Sequence, residues 1–233
     1  MPSEHSLKHL EPVSARMTVG DMVYLKLRDA LAVGRFDPGE VLTIGAMAEV
    51  FQTSHMPVRE ALRRLTAEGA LTLGASGSVR VPAIDRARLD DISAVRILLE
   101  RRATEMAVAT MNEAHLTRIE QLARAHAAAA GGHDLHNLLL RNRDFHFAIY
   151  RASGSDTLPP LIESLWLQYG PYMGLLSKSL NKADPGASQA PYTETHLAIV
   201  RAIRDGDASA AANGIEADIR STQKELRTAL AAL

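Results

Sequence analysis

Four polar side chains in the C-terminal half of the chain stand on apolar helical stripes, and their types are those that bind metal ions. Asn142 and His146 are four residues apart, so they project from the helix face that carries Phe145. His196 and Asp218 each share a stripe with isoleucines, although Asp218 also fits the edge of its stripe. An unpaired polar group inside a helical bundle is costly, and convergence on one metal ion satisfies all four. The alternative for each histidine is a hydrogen-bonded core residue.

A second set of chemically active side chains lies between residues 55 and 80, which include four arginines but only two glutamates. The arginines are Arg59, Arg63, Arg64 and Arg80. This local excess of positive charge attracts phosphate, and the Arg59 side chain can form a bidentate contact with guanine. A solvated helix face is the alternative for Arg63 and Arg64. The whole chain has a formal net charge of −1, so an interaction with DNA must depend on local charge placement.

The elements that must position these arginines are three short helices and a hairpin. Apolar residues at helical spacing, each run preceded by a threonine or serine N-cap, predict helices over residues 17–31, 43–51 and 54–69. Residues 71–73 and 79–81 alternate like strands, and the intervening GASGS is typical of a hairpin loop. Three helices followed by a hairpin predict a winged helix-turn-helix over residues 17–84, preceded by a polar tail over residues 1–16.

Almost all of the remainder of the chain, residues 85–233, is predicted to be helical. Asp85, Asn112 and Asp207 are expected N-caps, and the apolar periodicity yields six helices with a polar loop over residues 181–189. The chain is therefore expected to be mainly α, with a winged helix-turn-helix followed by a six-helix bundle. Four further histidines show no apolar pattern and are expected at the surface: His115, His126, His133 and His136.

Composition narrows the class of protein. The 233 residues include no cysteine, which excludes disulfides and thiolate metal sites. Charged residues interrupt every apolar run before it reaches the roughly 18 residues that span a membrane. The N-terminal segment lacks the apolar core of a signal peptide, so we expect a cytoplasmic protein without a membrane partner.

Two stretches resemble a known family. Residues 38–69, and most specifically PVREAL at residues 57–62, look like the signature of GntR-family repressors. Residues 95–100 with VRILLE, together with Phe145-His146 and the region from Glu194 to Asp207, resemble the FCD effector domain of the FadR subfamily. The likeness covers about residues 17–231, and six bundle helices would suit its VanR-like branch.

For the DNA-binding part, the resemblance implies a recognition helix in the major groove of operator DNA and a wing in the minor groove. The DNA-contacting positions implied are Ser54, His55, Met56, Arg59, Arg63 and Gly77. The family usually has Arg-Thr where this chain has His55-Met56, and often a charged residue where Gly45 stands. These departures predict an operator that differs from the commonest sequence in the family.

For the bundle, the resemblance implies a site for a divalent metal and a small carboxylate effector. The usual ligand set is an aspartate and three histidines, and the matching positions here are Asn142, His146, His196 and Asp218. Two imidazoles with two oxygen ligands suit zinc best in our interpretation, with nickel or manganese as alternatives. Arg96 matches the position that reaches the effector, although Glu100, four residues on, is a competing partner. Tyr169 and Tyr172 are further candidates for the pocket wall.

The resulting prediction is a homodimeric repressor of a catabolic operon, released from a palindromic operator when the effector binds. One alternative is a metal-dependent hydrolase or lyase with an incidental helix-turn-helix, for which Glu194 is the nearest candidate base. Another is a helical scaffold for protein partners, which needs no winged hairpin.

Overall fold

The computed structural model describes residues 17–74, 77–130, 134–182 and 190–233. The N-terminal elements are α1 Val19–Ala32, β1 Val41–Leu42, α2 Ile44–Phe51, α3 His55–Ala67, β2 Thr72–Leu73 and β3 Val79–Arg80. The C-terminal elements are α4 Arg86–Ala109, α5 Glu113–Ala130, α6 Leu135–Arg151, α7 Leu158–Lys182, α8 Ala190–Arg204 and α9 Ala208–Ala231. The expected winged helix and six-helix bundle are both confirmed.

The winged helix forms where local signals in the sequence place it. The Thr18 side chain accepts a hydrogen bond from the Asp21 backbone and closes a capping box at the start of α1. The Thr43 side chain accepts a hydrogen bond from the Ala46 backbone at the start of α2, whereas Ser54 occupies the N-cap position of α3 without a side-chain hydrogen bond. One strand was not predicted: β1 pairs with β3, which also pairs with β2, so the sheet order is β1-β3-β2.

The bundle packs six helices around a main buried apolar core and a smaller cluster between α4, α7 and α9. Asp85, Asn112 and Asp207 accept hydrogen bonds from backbone N–H groups three residues on, which confirms them as N-caps. The core includes Phe145, Phe147, Ile149, Tyr150, Ile162, Ile199, Ile203, Ile215 and Ile219, all at most 2% exposed. Helix α7 continues to Lys182, so the loop predicted over residues 181–189 begins later than expected. The rest of that loop lies outside the described residues.

The winged helix and the bundle meet at an unusually close contact between α1 and α7. A Cβ atom added at Gly170 of α7 would lie 1.9 Å from the backbone oxygen of Leu31. One added at Gly34, which has a positive φ of 68°, would lie 2.1 Å from the backbone nitrogen of Gly174. Only glycine permits such an approach of two backbones.

Ion pairs surround this glycine contact. The Glu163 carboxylate of α7 accepts hydrogen bonds from Arg28 of α1 and from Arg143 of α6, at 2.8 and 2.7 Å. Arg143 also reaches Asp29 of α1, at 3.3 Å. These partly buried pairs connect α1 to two helices of the bundle. None of the described helices is long and apolar enough to span a membrane.

Candidate effector site and DNA-binding surface

Helices α6, α8 and α9 bring three ionisable side chains together in the bundle interior. The ligand atoms of His146, His196 and Asp218 all lie within 4.8 Å of one another, and all three residues are buried. His146 Nε2 is 3.3 Å from Asp218 Oδ2, and His196 Nε2 is 3.6 Å from Asp218 Oδ1. The apolar stripes thus position these three groups as the spacing predicts, including Asp218, whose side chain is only 10% exposed.

The hydrogen bonds of Tyr150 place a proton on one nitrogen of His146 and leave the other towards the carboxylate. Tyr150 Oη donates to Glu100 Oε2 at 2.5 Å, so it can only accept from His146 Nδ1, 3.1 Å away. His146 Nδ1 therefore carries a proton, and Nε2 is the ring nitrogen that lies towards Asp218. Nε2 has no hydrogen-bond partner of normal geometry, and neither ring nitrogen of His196 has one.

A cation is needed where these acceptors face each other. An imidazole lone pair and a carboxylate oxygen at 3.3 Å repel unless a proton or a metal ion lies between them. Two nitrogens and one carboxylate oxygen form a ligand set that zinc and other divalent transition metals accept. The hydrogen bond from Nδ1 to Tyr150 is the kind of outer interaction that orients metal-bound histidines. The residues therefore fit a metal ion.

Burial sets the protonation states that such a site requires. Burial lowers the pKa of His196 to about 3, so this imidazole is neutral near pH 7. For Asp218, burial alone would raise the pKa. The close approach of a protonated His146 Nε2 and the positive charge of Arg96 outweigh that effect and hold the pKa of Asp218 at about 2. A neutral imidazole and an ionised carboxylate are the forms that bind metals.

His126 was misassigned from the sequence. It is 2% exposed rather than a surface residue, and its ring centroid lies 4.4 Å from that of His196. Burial lowers the pKa of His126 to about 4. The sequence did contain a signal, because Ile119, Leu122, Ala123 and His126 follow helical spacing and are all buried. His115 is exposed as expected, and His133 lies outside the described residues.

Next to the cluster, Arg96 is held by Glu100 and two aromatic rings. Its Nε donates to Glu100 Oε1 at 2.7 Å, and its Cζ lies 4.6 Å from the Trp166 ring centroid and 4.5 Å from that of Tyr169. Trp166 Nε1 also donates to Glu100 Oε1, at 2.8 Å. Glu100 is completely buried and is surrounded by donors from α4, α6 and α7. Arg96 therefore pairs with Glu100, the partner that the sequence offered as an alternative to an effector.

The two predicted tyrosines have different surroundings. The hydroxyl of Tyr169 is buried, and Ser93 lies near enough to influence its pKa, yet neither oxygen has a hydrogen-bond partner of normal geometry. Tyr172 instead donates to the backbone oxygen of Asp85 at 3.0 Å. Its hydroxyl therefore anchors the start of α4. Asn142 is half-buried one turn before His146 on α6.

The predicted DNA-contacting residues form an exposed surface at the start of α3 and on the wing. Ser54, His55, Met56, Arg59 and Arg63 are all exposed, and α3 buries the opposite face through Val58, Ala61, Leu62 and Leu65. Gly77 is exposed at the hairpin with a φ of 74°. Among the described residues, Arg59 and Arg63 have no ion-pair partner, so their charges are available to an external anion.

Arg64 is half-exposed and is held by contacts within the winged helix instead. Its guanidinium pairs with Asp21 at 2.8 Å and lies over the Tyr24 ring, 3.9 Å from the centroid. The Tyr24 hydroxyl in turn donates to Glu68 at 2.8 Å. These contacts tie α3 to α1, so Arg64 helps to position α3.

Comparison with known families identifies the winged helix and the helical bundle. The model of the FCD domain matches residues 91–221, and the model of bacterial regulatory proteins of the gntR family matches residues 20–81. The chain is a GntR-family transcriptional regulator with an FCD domain. The winged helix is thus its GntR domain and the bundle its FCD domain.

Relatives of this GntR-family regulator are similar to it in sequence or structure over most of its length. The HTH-type transcriptional regulator McbR of Escherichia coli (strain K12) is 32% identical, over 79% of this chain and 80% of McbR. The gluconate operon transcriptional repressor of Bacillus subtilis (strain 168) is 24% identical, over 83% of this chain and 79% of the repressor. The solved structure of E. coli McbR/YncC has a TM-score of 0.85 at 26% identity, covering 91% of this chain and 99% of that chain.

The family assignment fixes the coarse function of both parts of the regulator. A GntR domain binds DNA and an FCD domain binds a small-molecule effector. The families and relatives are transcriptional regulators and not enzymes, so the hydrolase or lyase alternative has no support. Several polar partners of the FCD site were not identified from the sequence, namely Tyr150, Trp166 and His126.

Proposed function

We propose that this GntR-family regulator is a repressor of a catabolic operon that leaves a palindromic operator when a small carboxylate binds its FCD domain. The observation that carries the proposal is the buried His146–His196–Asp218 cluster, whose ligand atoms are close enough to hold one metal ion, beside the guanidinium of Arg96. The similarity to the gluconate operon repressor supports repression. The proposed boundary between the two domains lies at residues 84 and 85, and the proposed location is the cytoplasm.

The proposed metal ligands are His146, His196 and Asp218, with Asn142 as a weaker fourth ligand. Zinc suits two imidazoles and a carboxylate best, with nickel or manganese as alternatives. A divalent ion bound here would supply a net positive charge that attracts an anion, because Asp218 offsets only one of its two charges. Asn142 adds no charge, which preserves that attraction.

Arg96 is the proposed clamp for the effector carboxylate. A guanidinium has five N–H donors, and the contacts with Glu100 are made through Nε and Nη2. The donors on Nη1 can therefore serve a second carboxylate. The rings of Trp166 and Tyr169 fix the guanidinium plane, and the unpartnered hydroxyl of Tyr169 offers a further hydrogen bond. The ring of Tyr172 lies next to that of Tyr169 and completes this proposed wall.

The proposed DNA contacts are made by α3 and the wing. Arg59 and His55 at the start of α3 would read base edges in the major groove, and Arg63 would contact phosphate. Ser54 and Met56 flank these positions, and Gly77 brings the wing to the minor groove.

A homodimer is the proposed assembly, formed through α4 and α7 of the FCD domain. These helices pack together and carry large apolar side chains in water: Leu98 is 70% exposed, Leu161 is 49% exposed and Val95 is 37% exposed. A second copy covering them would present two GntR domains to two operator half-sites.

Helix α7 is the proposed route between the two sites. Trp166 and Tyr169 touch the Arg96–Glu100 pair, and Gly170, one residue further, touches α1 of the GntR domain. An effector that reorients these rings would therefore bias how the GntR domain sits on the bundle, as a shift between two populations.

The test is a salt-dependent mobility-shift titration of the metal-loaded protein on the promoter of its own gene. We expect a retarded complex that weakens with salt and is released by one of a panel of carboxylates, including gluconate and citrate. Zinc-free His146→Ala protein serves as the matched control and should bind the DNA yet ignore the carboxylate. DNA binding that persists for the metal-loaded wild type at every carboxylate concentration would contradict effector release.

A further inference from the structure

A cleft between the two domains has no role in the function proposed above. It encloses about 630 Å³ between α1, the turn after α1, α2 and α6. Its walls come from both domains: Lys26, Leu27, Asp29, Ala30, Arg35, Phe36, Met47, Val50, Phe51, His136 and Leu140. This volume is in the range of about 300–1,000 Å³ that small-molecule sites occupy.

The interior of the cleft is apolar, and part of its wall packs against the core of the GntR domain. Phe36, Met47 and Phe51 are partly buried and rest against the core of the GntR domain. Leu140 faces them from α6 and is also half-buried. Two phenylalanine rings and two long aliphatic side chains offer contacts to an aromatic or aliphatic body. The site therefore favours a ligand with a substantial apolar part.

The rim of the cleft is cationic. Lys26 and Arg35 are exposed, and among the described residues neither has a carboxylate partner. The acidic side chain at the rim, Asp29, already pairs with Arg143. Arg35 Nε instead donates to Nε2 of His136, 2.8 Å away on the other domain. Burial lowers the pKa of His136, which keeps its imidazole a neutral acceptor.

We infer that this cleft is a binding site for an amphipathic organic anion, with an apolar body between Phe51 and Leu140 and a carboxylate or sulfonate on Arg35. The charge-assisted hydrogen bond to an anion is stronger than the bond that Arg35 makes to neutral His136. The inference is independent of the metal cluster, which lies in the bundle interior. Because the walls belong to both domains, an occupant contacts the helix-turn-helix and α6 together.

Two dyes of similar shape test both parts of this inference on the full-length protein. Anilinonaphthalene sulfonate carries the anion, and the neutral N-phenyl-1-naphthylamine lacks it. We expect one anilinonaphthalene sulfonate per chain by calorimetry, and binding of the neutral dye at least about tenfold weaker, since one charge-assisted hydrogen bond is missing.

Variants then locate the bound dye. Arg35→Ala, at an exposed position, should weaken the sulfonate at least tenfold without affecting folding, and Leu140→Trp should block the cleft from the α6 side. Arg118→Ala is the matched control at an exposed arginine elsewhere and should bind like wild type. Equal affinity of wild type and Arg35→Ala for the sulfonate, or equal affinity of wild type for the two dyes, would overturn the inference.

Discussion

The proposed DNA-binding surface and the proposed FCD site arrange charge in opposite ways. Arg59 and Arg63 stand exposed and without an ion-pair partner among the described residues. In the FCD site, Arg96 lies between two rings and against a buried carboxylate, and Asp218 faces two imidazoles. In the first arrangement, the unpaired positive charges can attract an anionic partner from solvent. In the second arrangement, the charged groups contact one another, so a partner can bind only by replacing one of these contacts.

This difference teaches where specificity resides in the molecule. An exposed arginine gains little from salt-screened neighbours and acts mainly on phosphate and base edges. A buried acceptor without a donor has a desolvation cost that only its correct partner removes. We therefore expect substitutions at the surface to change DNA affinity alone, and those in the bundle to change metal binding and stability together.

The largest effect is expected where the two regions are joined. Gly170→Ala would place a Cβ 1.9 Å from the Leu31 backbone oxygen, so α1 and α7 must separate. Overpacking against backbone costs about 3 kcal/mol of unfolding free energy. Urea denaturation followed by circular dichroism measures the change. Gly45→Ala is the matched control, because nothing lies within 4 Å of its added Cβ, and a loss as large in that variant would refute the packing argument.

On the surface side of the comparison, Arg59→Ala should lower operator affinity about 20-fold, within the range for one bidentate arginine–guanine contact. Fluorescence anisotropy on promoter DNA at fixed salt measures it. Arg64→Ala is the control from the same helix, since that arginine pairs with Asp21, and should mainly reduce stability. If Arg64→Ala lost as much DNA affinity as Arg59→Ala through direct contacts, the division between the two arginines would be wrong.

Within the bundle, Tyr150→Phe removes the acceptor of His146 Nδ1 without removing a metal ligand. Outer-shell partners of this kind are worth about 10–100-fold in metal affinity, and we expect the lower end. A chelator competition titration with zinc reports the change. Tyr169→Phe, whose hydroxyl has no partner of normal geometry, should leave zinc affinity nearly unchanged.

The smallest expected effect is a pH dependence in the metal-free protein. The pKa of His126 is lowered from 6.5 to about 4 in the folded state, so the unfolded chain binds the proton more readily between these values. Stability therefore falls as the pH drops below 6.5, by about 1 kcal/mol from this residue between pH 7 and 5.5. Thermal unfolding at both pH values measures it, and His126→Phe should show a shallower decline. A decline as steep as that of wild type would exclude His126 as a source.

Much of the fold could be predicted because its signals are local. N-caps such as Thr18 and Asp85 and the helical spacing of apolar residues need only neighbouring residues. Strand β1 could not be predicted, since two residues carry no period and its partner β3 lies nearly forty residues away. The depth at which Glu100 lies also depends on distant partners, Tyr150 and Trp166.

The candidate site was predictable in part. The apolar stripes correctly indicated that His146, His196 and Asp218 are buried, and the structure brings them together. The same rule applied to α5 would have found His126, but its alanine-rich neighbours gave a weak apolar contrast. The cleft around Arg35 escaped prediction, because its walls come from two domains that are distant in the sequence.

The central claim is that the buried cluster of the FCD domain holds a metal ion, and metal content tests it most directly. Wild-type protein supplied with zinc, nickel and manganese, then freed of unbound ions, should retain about one divalent ion per chain by mass spectrometry of the digested sample. Asp218→Ala, measured beside it, should retain almost none. Wild-type protein that folds and yet holds no metal after this exposure would contradict the account.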